Sequence, residues 1–400
     1  MKRSTNRIIV SHAGTLPRPE DLSEMMGAGP GGAGEFAERL PGAVREVVRQ
    51  QVDIGIDVVN DGEFGKRGGF SRYTMERLSG LEVRAFKSGE GPAPRDVQGR
   101  DRRDFPGFAA ANFPARFGGP GTASPAGSGV FAEGDDGTRQ MVFCAGPVKF
   151  VGQACVRNDI ENLAAAVKGL DVEAYLPAVA PGTMEHWIYN EYYKSDDEFL
   201  YAIAEAMREE YKAIIDAGFV LQIDDPDLPD GWQMYPDMTV GEYQKYAALR
   251  IEALNHGLKG LPQDRIRFHT CWGSQHGPHM ADIEIRHIVH LILAVQAECF
   301  SVEAGNPRHD HDWKLWEQVK LPEGKSYMPG VVSHVSNHIE HPQLVAQRLA
   351  RYAKVMGREN VVAGTDCGMG TRVGHPEVCW AKLRAMVDGA RIATKELWRR

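Results

Sequence analysis

Apolar positions along this chain alternate between helix-like spacing and short β-rich runs. Helical spacing marks Phe36–Asp53, Asp197–Ala217, Thr239–His256, Asp282–Gln296, Pro342–Met356 and Pro376–Thr394. Between them, compact aliphatic runs predict strands at Arg7–Ser11, Ile56–Asp61, Ala174–Val179, Phe219–Ile223, Arg265–Thr270, Cys299–Val302, Tyr327–Ser333 and Asn360–Thr365. Eight strands, mostly with a helix after each, predict a (β/α)8 TIM barrel with parallel strands. A doubly wound sheet is the rival, weakened because no GxGxxG follows the first strand. The alternation breaks once, from about 81 to 166. There, Gly/Pro-rich stretches at Gly89–Arg95 and Phe117–Gly137 flank an expected hairpin at Met141–Val151. The reading is one domain, 1–400, whose insertion follows the second strand. In a barrel it would emerge at the catalytic face as a cover or an oligomer arm, or else be a decoration without a role.

The C-terminal ends of barrel strands converge on one mouth, so the residues there can be read as the walls of a site. His269 and Cys271 are two apart, and on a strand both leave the same face. Glu303 follows the sixth strand and Cys367 the eighth. An imidazole, two thiolates and a carboxylate suit zinc better than magnesium or calcium. The bland alternative for Cys271 or Cys367 taken singly is a buried apolar residue. Asp224-Asp225 before Pro226 reads either as a site or as turn chemistry. Glu63 beside Lys66 and Arg67 reads either as a site or as a solvated charge cluster. The run Arg308-His309-Asp310-His311-Asp312 has the look of a second metal site, but its loop position favours substrate contact or support of the site.

Bulk properties narrow the choices. With 42% hydrophobic and 25% charged residues, 400 residues can bury a full core. A net charge of −8 and the lack of a basic run argue against nucleic-acid binding. No stretch approaches the roughly 18 apolar residues of a membrane span. The start, Met1-Lys2-Arg3-Ser4-Thr5, lacks a signal-peptide core. Six scattered cysteines read as reduced thiols of a cytoplasmic protein, with Cys144, Cys155, Cys299 and Cys379 left to the core.

These motifs together resemble the cobalamin-independent methionine synthase family, specifically its catalytic C-terminal barrel. Gly14-Thr15-Leu16-Pro17 is similar to the family's Gly-Ser-Phe-Pro, and Asp61-Gly62-Glu63 to its His-Gly-Glu. Gln222-Ile223-Asp224-Asp225-Pro226 is similar to its Gln-Ile-Asp-Glu-Pro. His269, Cys271, Glu303 and Cys367 stand where the family places its zinc ligands. The resemblance implies one catalytic zinc and alkylation of a thiol bound to it. It implies that Glu63 and Asp224 hold the amino group of an amino-acid thiol, that Thr15 contacts its carboxylate, and that Trp187 stacks on a folate. The chain departs from the family in three ways. Its 400 residues leave no room for the second, N-terminal barrel of the full-length enzyme. Val335 stands in register with the family's site histidine, and His334 is displaced by one position, which on a strand reverses a side chain. Glu185-His186 adds charge beside Trp187. Asn306-Pro307-Arg308-His309 looks at home among single-barrel relatives that resemble epoxyalkane:coenzyme M transferase.

The expected activity is zinc-dependent S-alkyl transfer, with methyl transfer to homocysteine leading. The runner-up is a thiol–epoxide transferase or the reverse carbon–sulfur lyase. A rival of another class is a zinc subunit that docks a corrinoid methyl carrier. Partners are therefore a small thiol and a methylfolate, methyl-corrinoid protein or epoxide, with a homo-oligomer allowed. His186, His309 and His334 are the candidate proton donors to the leaving group, and Arg308 a candidate substrate contact.

Overall fold

Each predicted β-run becomes a parallel strand in the computed structural model. They are β1 (Ile9–Val10), β2 (Val58–Val59), β3 (Glu173–Val179), β4 (Val220–Asp224), β5 (Ile266–Thr270), β6 (Cys299–Val302), β7 (Ser326–Val332) and β8 (Val362–Thr365). The structure describes all residues except 28–31, 67–69, 88–89, 93–94, 96–98, 113–129, 134–137, 274–275, 371 and 400. Hydrogen bonding runs β1–β8–β7–β6–β5–β4–β3–β2. The ring closes where the Asp57 N–H donates to the Val10 carbonyl at 2.9 Å and the Ser11 hydroxyl to the Val58 carbonyl at 3.0 Å. The fold is a TIM barrel.

Seven strands each point one apolar side chain into the lower interior: Ile9, Val58, Tyr175, Val220, Cys299, Met328 and Val362. β5 contributes Arg267 instead. Its guanidinium donates to Gln222 at 2.7 Å and Ser11 at 2.8 Å and lies over the Tyr175 ring. A buried cation so supplied with acceptors plugs the barrel and leaves the mouth above it for chemistry.

Helices surround the strands where the spacing predicts them. Pro342–Met356 starts at its proline, with the His341 side chain accepting from the Gln343 N–H. Thr239 and Glu242 form a capping box that starts Val240–Leu258. β6 is the exception, followed only by the 3-10 turn Asp312–Glu317.

The insertion builds a small antiparallel sheet from Leu81–Phe86, Val130–Glu133 and Arg139–Cys144, with Ile188–Asn190 added in parallel. The expected hairpin at Met141–Val151 is therefore corrected. Met141 pairs with Val130 and Arg84, and 145–151 forms no strand. The stretch Phe117–Gly137 lies outside the described residues apart from Val130–Glu133. Gln153–Val167 packs on the helix Ala33–Ile54 as part of the outer ring, so the insertion ends before 166. Further along, Arg100 donates to the carbonyls of Trp232, Tyr235 and Met238 (2.6–2.9 Å), and Asp101 accepts from the Ala281 N–H at 2.9 Å. These contacts seat the insertion on the loops after β4 and β5, at the mouth.

Candidate active site

Strand register sets the first contacts. Asp224 on β4 is level with His269 on β5, and His269 with Ser301 on β6. His269 is buried, and its Nδ1 lies 3.0 Å from the Ser301 hydroxyl, leaving Nε2 for the mouth. Nε2 is buried without a hydrogen-bond partner of good geometry. The Cys271 thiol donates to the Cys367 sulfur at 3.6 Å. One ligand atom from each of His269, Cys271 and Cys367 lies within 4.8 Å of the others. The Cys271 contact and His269 hold the Cys367 thiol well below its usual range against the effect of burial. Cys271 moves the other way, through the same sulfur contact and burial. These contacts favour one thiolate in the group, which is the protonation state a metal ligand needs. An orphaned imidazole nitrogen facing two sulfurs fits zinc.

A second group, Glu303, His334 and Asp366, sits beside the first, again with ligand atoms within 4.8 Å. Glu303 accepts from the Trp272 N–H at 2.7 Å and from the Asn306 side chain. Its charge also bears on Cys271. Burial, helped by Asp366, pushes Glu303 up to about 8. Asp366 accepts from the N–H groups of Ala304 and Gly305 at 2.8 and 2.6 Å. Gly330 makes that placement possible, since a Cβ there would meet Asp366 Oδ1 at 1.9 Å. The one-position displacement of His334 does not turn it away. A bulge between Gly330 and Val332 shifts the β7–β8 register, and such a bulge re-aims the chain that follows. Burial pushes His334 down to about 4.

The opposite wall carries Thr15, Glu63 and Asp224. Thr15 donates to Glu63 at 3.1 Å, and Gly14 is glycine because a Cβ would lie 2.4 Å from that carboxylate. Glu63 itself holds φ +60, a strained value for a residue with a side chain. Gln222 donates to Asp224 at 2.7 Å. Burial pushes Asp224 up to about 7, with His269 and Lys66 opposing and Glu63 adding to the rise. The Lys66 ammonium, 3.8 Å from Glu63, is already part of this carboxylate cluster.

Four expected site residues are placed elsewhere. His186 is buried beside Asp227 at 3.2 Å, bonded to the Tyr246 hydroxyl and stacked on its ring, and burial holds its pKa well down. Trp187, 1% exposed, packs with Met234 and Tyr235, so it is no open wall for a pterin. Both follow the short helix Pro181–Glu185, just beyond β3. His309 is held between Asp312 at 3.0 Å and Asp282 at 3.3 Å. Against burial, these two carboxylates raise it to about 9. Both of its nitrogens are engaged by carboxylates, which favour the cation. Arg308 donates to the Met280 carbonyl at 2.8 Å and braces a loop.

The sequence reading does not single out Ser301, Trp272 or Asp366. Their signals are modest: a serine beside His269 in a neighbouring strand, a tryptophan next to Cys271, and an aspartate preceding Cys367. Trp272 stacks on His309 with ring centroids 4.1 Å apart while its N–H holds Glu303. Cys144, Cys299 and Cys379 are buried thiols, and Cys155 is half-buried.

A family model described as the catalytic domain of cobalamin-independent synthase matches residues 177–392. The methionine synthase of Thermococcus kodakarensis is 24% identical over 229 residues, 56% of this chain and 58% of that protein. A Saccharolobus islandicus methionine synthase is 25% identical over 224 residues, 55% of this chain and 58% of that protein. The chain thus spans under two thirds of the curated relatives it matches. A structure of a B12-independent methionine synthase from Shewanella sp. W3-18-1 with selenomethionine shares the fold at TM-score 0.69 and 19% identity, over 98% of this chain and 99% of that one. A methyltransferase from Methanosarcina mazei does so at TM-score 0.52 and 14% identity, over 97% and 94%.

Proposed function

This chain belongs to the family of cobalamin-independent synthase catalytic domains, and from that premise we propose that it is a zinc-dependent transferase moving a methyl or other alkyl group onto a small-molecule thiol. Methyl transfer to homocysteine is the leading form. The observation that carries the reading is the group of buried His269 and Cys271 with half-buried Cys367, whose imidazole Nε2 lacks any other partner. When bound there, zinc supplies the positive charge that keeps a substrate thiol ionised at neutral pH.

The chain's own residues orient and protonate. Glu63 and Asp224 receive the acceptor's amino group, and a cation brought beside Asp224 would return its raised pKa towards the ordinary range. Thr15, bonded to Glu63, is assigned to the acceptor's carboxylate. Glu303 is assigned as the exchangeable fourth ligand, parked on Trp272 and Asn306 when it is not used. His334, which groups with Glu303 and Asp366, is assigned the proton that the leaving atom needs.

The burial of Trp187 favours one second reading. A small epoxide needs no pterin wall, only a dry pocket, and the insertion leans over the mouth. Thiol–epoxide transfer by the same residues is therefore the alternative. Zinc-edge absorption of the metal-loaded protein tests the common core. Adding the correct thiol should raise the count of sulfur ligands, and no change with any thiol sinks both readings. Turnover with methylfolate against a simple epoxide then separates them.

A further inference from the structure

A lysine is rarely buried outright, because its ammonium must find acceptors to replace water. Lys382, on the helix Pro376–Leu397, is 0% exposed. Its Nζ reaches the loop between β7 and the helix Pro342–Met356, where it meets the Glu340 carboxylate at 2.8 Å and donates to the His338 carbonyl. The other Glu340 oxygen accepts from the Ser333 N–H at 2.8 Å. One carboxylate therefore ties the start of the loop to its end, and the lysine holds the tie. His334 is the residue that follows Ser333.

Apolar burial does little to hold this loop. Asn337, His338 and Ile339 at its tip are exposed, and its fixed points are polar. Besides the Glu340 tie, the Val335 N–H donates to the Ser333 hydroxyl at 3.3 Å, and Asn337 accepts from the Gly374 N–H at 2.8 Å. A buried ion pair is a weak source of stability, since well-packed apolar residues often serve as well. What the Lys382–Glu340 pair supplies is a fixed geometry at Ser333. One residue on, the buried His334 joins Glu303 and Asp366, with ligand atoms within 4.8 Å of one another.

We propose that Lys382 is a positioning residue for the leaving-group proton: through Glu340 it fixes Ser333 and so aims the His334 imidazole at the mouth. Lys382 itself touches no reacting atom. The inference rests on the assignment of His334 under the transferase reading. It predicts a dependence on the donor's leaving group. Methyl transfer from a folate breaks a carbon–nitrogen bond and leaves a nitrogen pair that takes a proton. Opening an epoxide breaks a carbon–oxygen bond and leaves an alkoxide that does the same. Methyl iodide forms the same carbon–sulfur bond but releases iodide, which takes no proton.

The test uses the full chain with zinc and homocysteine. Wild type is compared with His334→Gln, Lys382→Met, Lys382→Arg and the double variant Lys382→Met/Glu340→Leu, which leaves neither charge of the pair buried alone. Turnover is measured with methyl iodide and with the proton-requiring donor that wild type uses, methylfolate or a simple epoxide. Lys382→Met and the double variant should slow the proton-requiring donor about a hundredfold, the scale of a misplaced catalytic group, and hardly change methyl iodide. Lys382→Arg should keep most of the rate. Without metal, deuterium uptake over residues 333–341 should rise in Lys382→Met and the double variant and stay near wild type in Lys382→Arg. Unchanged uptake, or a proton-requiring rate kept by the double variant and lost by His334→Gln, overturns the proposal alone. Equal losses with both donors also overturn it, by marking a merely structural role. A His334→Gln variant that keeps the proton-requiring rate sinks the His334 assignment and the proposal together. Wild type that uses no donor sinks both along with homocysteine transfer itself.

Discussion

Two histidine clusters lie side by side at the barrel mouth, and they differ in how completely they are satisfied. His309 has a carboxylate at each nitrogen and a tryptophan against its face. His269 has a serine at one nitrogen and no hydrogen-bond partner at the other, beside two sulfurs that share one proton contact. By residue type alone, Arg308-His309-Asp310-His311-Asp312 looks richer in metal ligands. What sets His269 apart is that its unmatched nitrogen faces two thiol sulfurs, a set of ligand types that a metal can complete. The His309 group is closed on itself and works as a brace, carrying Trp272 and through it Glu303.

The contrast breaks most visibly at Cys271. Cys271→Ser should lower metal content from about one zinc per chain to near zero, with loss of all transfer activity and an unchanged circular dichroism spectrum. Full zinc occupancy in that variant would strike Cys271 from the ligand set.

His309→Gln should do the reverse, keeping metal but costing about 3 kcal/mol in urea unfolding, as expected when one member of a buried charged group is removed. The effect has a sign in pH. The His309 pKa, about 9 in the fold, stands above the ordinary value of about 6.5. Its stabilisation is therefore complete below about pH 6.5 and disappears as pH rises through about 9. Urea titrations at both ends of that window should show wild type losing stability and His309→Gln losing less. Equal slopes would end the fixed-cation reading.

A smaller effect is expected at the acceptor wall. Asp224→Asn should weaken an amino-acid thiol by about 1.5–3 kcal/mol and hardly touch a thiol without an amine. Equal losses for both, measured by calorimetry, would make Asp224 architectural. The smallest change belongs to Arg308. Arg308→Ala should shift unfolding and thiol affinity by under about 0.5 kcal/mol, because it removes only a brace to one carbonyl. A tenfold loss of affinity would return it to the substrate pocket.

The barrel was largely legible in the chain because each strand is an apolar run beside a helical period. Cys299–Val302 and Pro342–Met356 have the same bounds in both readings. β1 and β2 are shorter than expected, since each pairs along only one neighbouring strand and meets the other at the closure point. The insertion's sheet was harder to see. Leu81–Phe86 is half-exposed, and its partner Arg139–Cys144 lies beyond a long loop, so neither burial nor proximity marks the pair. At the site, ligand types at strand ends pointed to His269, Cys271 and Cys367. His186 and Trp187 have equally suggestive positions. Both are buried after a five-residue helix, against Tyr246 and Met234, and residue types do not encode that turn.

The closure of the ring by β1 and β8 also bears on the order of synthesis. Ile9 pairs with Val362, and the Thr15 carbonyl waits for Met369 and Gly370. On the ribosome, the first strand therefore emerges long before one of its neighbours exists, and Cys367 follows the rest of its cluster by most of a hundred residues. The nascent barrel is an open sheet with an unpaired edge, the state most prone to wrong partners. Of the proposed ligands Cys367 is synthesised last, so the proposed zinc site is complete only once the eighth strand has emerged.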